Sequence, residues 1–228
     1  DWIRNMIKPF EENKNIFASV PRLFINKKDN YTNRYLSYVG VDPFAMYRAL
    51  DAQLELNKDL VKRRKDPYFI LEVEEKGPYC MGSNGFMFKK SIIKKVGDYA
   101  QDVEFIARIS KLKNQTFAVV ENAHVWHKNI KGIYDFIRKR VKWTRNYTRI
   151  YIKEKKDYNW IDNKFNFFSY IVKNLLLFPN TAIGIKKSIE EKDISWLIHG
   201  PILFFSTFLN IYFSLASPRM FKQVFEIK

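Results

Sequence analysis

"YAQDVEFIARISKLKNQTFAVVENAHVWH", residues 99–127, reads as a short amphipathic helix followed by a strand, and that pairing sets the fold class. Val103, Phe105, Ile106 and Ile109 make an apolar stripe at helical spacing, with Asp102 at its mouth. A carboxylate there satisfies free backbone N–H groups and the helix dipole without any further role, so on this stretch alone Asp102 is a helix cap. "TFAVVENAHVWH" (116–127) is β-rich and turns polar at its end. Working outward, "KKSIIKKVG" (89–97) is a short helix closed by Gly97. "NIFASVPRLFI" (15–25) is a strand and its exit, with Pro21 as punctuation. Strand and helix alternate up to residue 127, the pattern of an α/β domain.

"KGPYCMGSNGFMFKK" (76–90) sets Gly82, Ser83, Asn84 and Gly85 as a turn between apolar segments. Such a turn either serves the chain alone or lets backbone and small side chains approach a ligand closely. "DPFAMYRALDAQLELNKDLVKRRK" (42–65) has helical amphipathicity, its basic run at 62–65 reading as a solvated helix end. Trp2, Ile3, Met6, Ile7 and Phe10 are helix-spaced, so the chain opens inside an amphipathic helix.

The chain has 228 residues, 46% of them hydrophobic and 17% aromatic, which excludes disorder and allows one principal domain with an appendage. A net charge of +16 implies attraction to something anionic: nucleic acid, acidic lipid headgroups or phosphorylated substrates. Cys80 is the single cysteine, so there is no intrachain disulfide and a reducing compartment is the default.

From Lys128 to Lys156 eleven Lys or Arg face only Asp135 and Glu154. Helical periodicity through Phe136, Arg140, Trp143 and Tyr147 makes this a basic amphipathic helix suited to an anionic membrane surface. Two apolar stretches follow. Residues 165–185 are interrupted by Lys173, Asn174 and Pro179, whereas Ile194–Pro218 runs 25 residues without a formal charge. The second is long enough to span ~30 Å of hydrocarbon. With "KKSIEEKD" (186–193) as the loop between them and basic flanks outside, the pair reads as a helical hairpin with both ends in the cytosol. The first stretch fits an interfacial or re-entrant helix as well as a span. The expected division is 1–157 and 158–228.

Four pieces stand in order: "GSNGFMFKKSIIKKVG", "QDVEFIARI", "AVVENAHVWH" and "RKRVKWTRNY", together covering residues 82–147. This succession resembles the acceptor-binding half of family-2 glycosyltransferases, the inverting enzymes of GT-A fold. The resemblance implies the C-terminal part of a GT-A α/β domain followed by a membrane-associated helical hairpin. It places the nucleotide-binding strands and their Asp-x-Asp motif upstream of residue 1. It further implies transfer from a nucleotide-diphosphate sugar to a hydroxyl of a glycan or lipid-linked acceptor, at the cytoplasmic side of the cell membrane, in polysaccharide biosynthesis. An inverting transfer needs one carboxylate to take the acceptor proton. Asp102 holds the position of that base; Gln101 replaces the family's preceding acid, and Glu104 and Asp98 are the neighbouring substitutes. His127, and more remotely His124, stands where some members place a ligand to a divalent metal (Mg or Mn) or a diphosphate contact. Ser83, Asn84 and Gly85 fall at the substrate turn. "RKRVKW" matches the family's Gln-x-x-Arg-Trp segment loosely, with Lys139, Lys142 and Trp143 in its places. Trp143 would stack on an acceptor sugar, while Arg138, Arg140 and Lys142 would meet the diphosphate. The same basic residues suit lipid headgroups equally. The competing readings are a membrane-tethered basic protein that binds nucleic acid or anionic lipid without catalysis, and a non-catalytic scaffold. No nucleic-acid-binding motif is present in the chain.

Overall fold

The computed structural model describes residues 1–39, 61–65, 67–72, 85–99, 102–112, 115–128, 130–153 and 164–216. They form a mixed α/β protein. In chain order the elements are α1 (Trp2–Glu12), β1 (Ile16–Leu23), α2 (Tyr31–Tyr38), β2 (Val61–Lys65) and β3 (Tyr68–Glu72). Then come β4 (Met87–Phe88), α3 (Lys90–Val96), α4 (Asp102–Ser110), β5 (Thr116–Val125) and α5 (Ile133–Lys153). The last of the described elements are α6 (Lys164–Leu175), α7 (Phe178–Glu190), a 3₁₀ turn (Ile194–Ile198) and α8 (His199–Leu215). Two compact units divide them. The first comprises Asp1–Lys27, Leu36–His127 and Asp157–Asp162; the second comprises Lys28–Tyr35, Lys128–Lys156 and Asn163–Lys228. The division therefore differs from a single cut at 157: the basic helix α5 belongs with the helices that follow it.

The first unit is built on a five-stranded sheet of order β2-β3-β5-β1-β4. β1 and β5 run parallel, and the other neighbours are antiparallel. Both faces of its centre are covered, so the central strands are near-continuously apolar rather than alternating. Met6, with Trp2 and Phe10 of α1, packs over Ile16, Tyr68, Ile70, Ala118 and Val120. On the other face Phe17, Phe69, Phe117 and Val119 meet Ile92 of α3 and Phe105, Ile106 and Ile109 of α4. The helix expected at the chain's opening is thus present, but it buries Met6 and leaves Ile3 and Ile7 exposed.

Pro21 does not end β1. Pairing with β5 proceeds to Pro21↔Val120, then jumps to Arg22↔His124, so three residues of β5 are skipped where proline lacks a ladder donor. An Arg22–Glu121 ion pair at 3.1 Å closes over that irregularity. The basic run at 62–65 is corrected more sharply. It lies in β2, paired antiparallel to β3, and not at a helix end. Residues 42–60, the rest of that expected helix, lie outside the described residues.

In the second unit the first apolar stretch breaks in two. α6 ends at Leu175, Leu177 adopts φ +60°, and α7 begins at Phe178 with Pro179 in its first turn. "KKSIE" of the expected hairpin loop is helical, forming the C-terminal part of α7. The charge-free run also divides, into the 3₁₀ turn and α8. Ile194–Leu215 is long and apolar enough to cross a membrane by length and composition, and half of its apolar window is buried inside the protein. The helices close tightly at two glycines. A Cβ on Gly200 would stand 2.3 Å from the Thr181 hydroxyl, and one on Gly184 2.5 Å from the Trp196 carbonyl oxygen.

Candidate functional site

In the first unit the stretch 85–127 is positioned by backbone geometry and one aromatic cluster. Gly85 has φ +82°, and a Cβ there would fall 2.8 Å from the Trp2 ring and 3.1 Å from Pro21. The room it leaves is therefore taken by the chain's own side chains, which accounts for the glycine without a ligand. β4 follows, and Phe88 inserts among Phe86, Tyr99 and Phe105, stacking on Tyr99 at 5.6 Å and meeting Phe105 at 5.0 Å. Tyr99 also meets Phe105 edge-on at 5.0 Å. These contacts hold Tyr99, which follows α3, against β4 and α4.

α3 closes on Gly97 at φ +81°, whose N–H donates to the Ile93 carbonyl at 2.8 Å. Arg108 of α4 reaches back over that end. Its guanidinium donates to the Val96 carbonyl at 2.7 Å and the Asp98 carbonyl at 2.6 Å. A cation on the free carbonyls of a helix C-terminus is favourable twice, as hydrogen-bond donor and against the dipole. Arg108 thus clamps the α3–α4 connection, a role no local pattern announces. Asp102 is the first residue of α4. Glu104 is half-buried two residues on, and Asp98 is exposed before the helix. Ser83 and Asn84 lie outside the described residues.

β5 ends at Val125, two residues short of His127, which is half-buried. His124, paired in register with Arg22, is exposed and tilts against Phe24 at 6.0 Å. Among the described residues no three His, Cys, Asp or Glu side chains converge to hold a metal ion. His127 would be one ligand of the expected site, the others falling to the Asp-x-Asp motif that the resemblance places upstream of residue 1.

The second unit carries α5 and the four basic-segment residues. Asp135 caps its first turn: it accepts from the Lys131 N–H at 3.1 Å and pairs with Arg138 at 3.1 Å and Lys139 at 3.3 Å. The Lys131 N–H, with the two cations, pulls its carboxyl down to about 2. The buried face is Phe136, Arg140 and Thr144, spaced four apart. Arg140 therefore points inward, while Arg138, Lys142 and Trp143 are exposed. Of the basic-segment residues expected at a diphosphate or sugar, these three are open to solvent and Arg140 is not.

Sequence reading misses a second set of residues in this unit, a chain of buried polar contacts. Asn180 donates to Asn174 at 2.7 Å, and Asn174 donates to the Thr207 hydroxyl at 3.0 Å, which ties α7 and α6 to α8. Arg34 pairs with Asp193 at 2.8 Å, and Asp193 also accepts from the Ser195 N–H at 2.9 Å to cap the 3₁₀ turn. Tyr35 and His199 share a 2.7 Å hydrogen bond beside Trp196. Burial, then Lys173, lowers the His199 pKa to about 4, so the imidazole is neutral at pH 7. Comparison with family models, curated proteins and solved structures finds no match to this chain.

Proposed function

We propose that this chain is part of an inverting glycosyltransferase of GT-A type that works at the cytoplasmic side of the cell membrane. It would move a sugar from a nucleotide-diphosphate sugar to a hydroxyl of a glycan or lipid-linked acceptor. The observation that carries the reading is the build of residues 85–127: a glycine turn into β4, α3 closed by Gly97, α4 opening on Asp102, and β5 ending just before His127. That succession follows the order of the motifs the sequence shares with the family. A place at the start of α4 is compatible with a general base, which needs a carboxylate that can accept the acceptor proton.

In the proposed step the acceptor O–H proton passes to Asp102 as the oxygen attacks the anomeric carbon. The bond from that carbon to the nucleoside diphosphate breaks, its electron pair leaves with the diphosphate, and the anomeric centre inverts. Mg or Mn would supply charge stabilisation for the leaving group in this class of reaction. No step is assigned through it, because the described residues do not complete a metal site.

Asp102→Asn in the intact protein is expected to lower turnover by roughly 10²–10⁴-fold, the span of a general base, with donor affinity retained. Folding should survive, since Asn also caps helices. Glu104→Gln is the control, and steady-state transfer kinetics are the readout. Loss of transfer in Glu104→Gln with full activity in Asp102→Asn would sink the base assignment.

A further inference from the structure

The second unit buries an apolar set that includes Phe136, Trp196, Ile202 and Leu203, yet it also holds most of the exposed apolar and most of the buried polar side chains among the described residues. Among the described residues there are 23 exposed large apolar side chains, and 19 of them belong to this unit. Of 13 buried polar or charged residues, 12 belong to it as well. In water that distribution is unfavourable at both ends: apolar surface stays hydrated while polar groups are taken out of solvent. It becomes favourable when the outer surface faces hydrocarbon, where each polar group must find its partner within the protein.

The exposed apolar side chains form stripes. α6 presents Phe165 and Phe168, α7 presents Phe178 and Ile189, and α8 presents Phe204 and Phe208, in each helix at spacings that return to one side. Phe165 and Phe178 are each 78% exposed, far more than isolated surface phenylalanines need be. For α6 and α7 the depth is limited by length, and for Ile194–Leu215, which is long enough to cross, by the half of its apolar window that is buried inside the protein. At ~1.5 Å per residue α6 and α7 are roughly 18 and 20 Å long, short of the ~30 Å hydrocarbon core. α7 also interleaves its stripe with exposed Lys186 and Glu190, which keeps it near the headgroups. Cations stand beside this surface. Arg145 of α5 lies 5.8 Å from the Phe213 ring of α8, next to exposed Tyr212 and Leu215. Arg138, Lys142 and the half-exposed Trp143 continue along α5. A basic helix against an apolar stripe, in a chain of charge +16, is complementary to an anionic leaflet.

We infer that the second unit docks on an anionic bilayer as a monotopic module, sinking the exposed stripes of α6, α7 and α8 into one leaflet without crossing it. The inference rests on the membrane part of the reading above and is independent of its chemistry.

The test floats the full chain with vesicles of phosphatidylcholine alone or with one third phosphatidylglycerol. Binding is expected with phosphatidylglycerol, and part of it should persist in high salt because apolar insertion is not screened. Phe204→Ser and Phe208→Ser should each weaken partitioning roughly tenfold, while Ile3→Ser, on an exposed position of the first unit, should not. Far-UV circular dichroism confirms that the variants fold. For topology, Ile194→Cys and Leu215→Cys in a Cys80→Ser background should both react with an impermeant maleimide added outside. Labelling of one of the two positions only after permeabilisation would show that α8 crosses, and overturn the inference. So would an absence of binding to either vesicle, equal binding by the Phe variants, or a stable dimer in solution broken by Phe208→Ser with no vesicle binding. Asp102→Asn should float like the unaltered chain. Failure of transfer and failure of docking are therefore read separately.

Discussion

The sheet unit and the helical unit differ in how much polar matter they bury beside their apolar side chains. Around the sheet, Phe17, Phe69, Phe105 and Phe117 interdigitate with aliphatic neighbours, and Ser19, which donates to the Met6 carbonyl, is the one buried polar side chain among the described residues. In the helical unit, Asn174, Asn180, Thr207, Asp193 and His199 share the interior with Phe136, Trp196, Ile202 and Leu203, while Phe165, Phe168, Phe178, Phe204 and Phe208 stand outside. The difference teaches how each unit resists unfolding. The first depends on apolar area and close packing. The second adds to its apolar packing buried hydrogen bonds such as Asn174–Thr207 and Tyr35–His199, where removing one partner leaves the other unsatisfied.

That contrast can be broken from either side. The largest effect is expected from Phe105→Ala, which removes a fully buried ring shared by α4, Phe88 and Tyr99 and should cost about 3–5 kcal/mol. Denaturant unfolding gives the magnitude, and hydrogen exchange should show the loss first in β5 and α4. Next is Asp193→Ala, which takes the carboxylate away from Arg34 and uncaps the 3₁₀ turn. Breaking a largely buried pair should cost about 3 kcal/mol, and Arg34→Ala together with Asp193→Ala should cost less than the two single losses added.

The smallest of the three sharpens the comparison through pH. His199 titrates near 4 when folded and near 6.5 when unfolded, so between those values the unfolded chain binds more protons. The neutral, buried imidazole thus contributes stability that is complete above pH 6.5 and disappears as pH falls to 4. The loss should be on the order of 2–3 kcal/mol and confined to the helical unit. Unfolding followed from pH 7 to 4 should show this slope, and His199→Gln should flatten it. A slope unchanged in His199→Gln would move the effect to other groups.

Much of the stretch around the proposed site was legible because its signals are local. Gly97 closes α3, Asp102 opens α4, and 116–125 forms the strand its residues favour, since capping, helical spacing and β-propensity act within one or two turns of chain. The helix through Phe136 and Arg140 was legible for the same reason. β2 was not: Val61–Lys65 is mostly charged, and its strand state comes from hydrogen bonds to β3. The break at Leu177 was hidden because an apolar run carries no mark of where a chain turns back.

Residue pattern alone therefore settles an α/β chain, the starts of α4 and β5, the Gly97 close of α3, a basic helix, and a long apolar run, each a matter of short-range backbone preference. It does not settle which of several cations turns inward, as Arg140 does, or that Gly85 yields its space to Trp2. Nor does it pair Asn174 with Thr207, Arg34 with Asp193, or Tyr35 with His199, partners 33, 159 and 164 residues apart. Those outcomes follow from long-range packing, where an interior polar group is tolerated once a distant segment arrives to satisfy it.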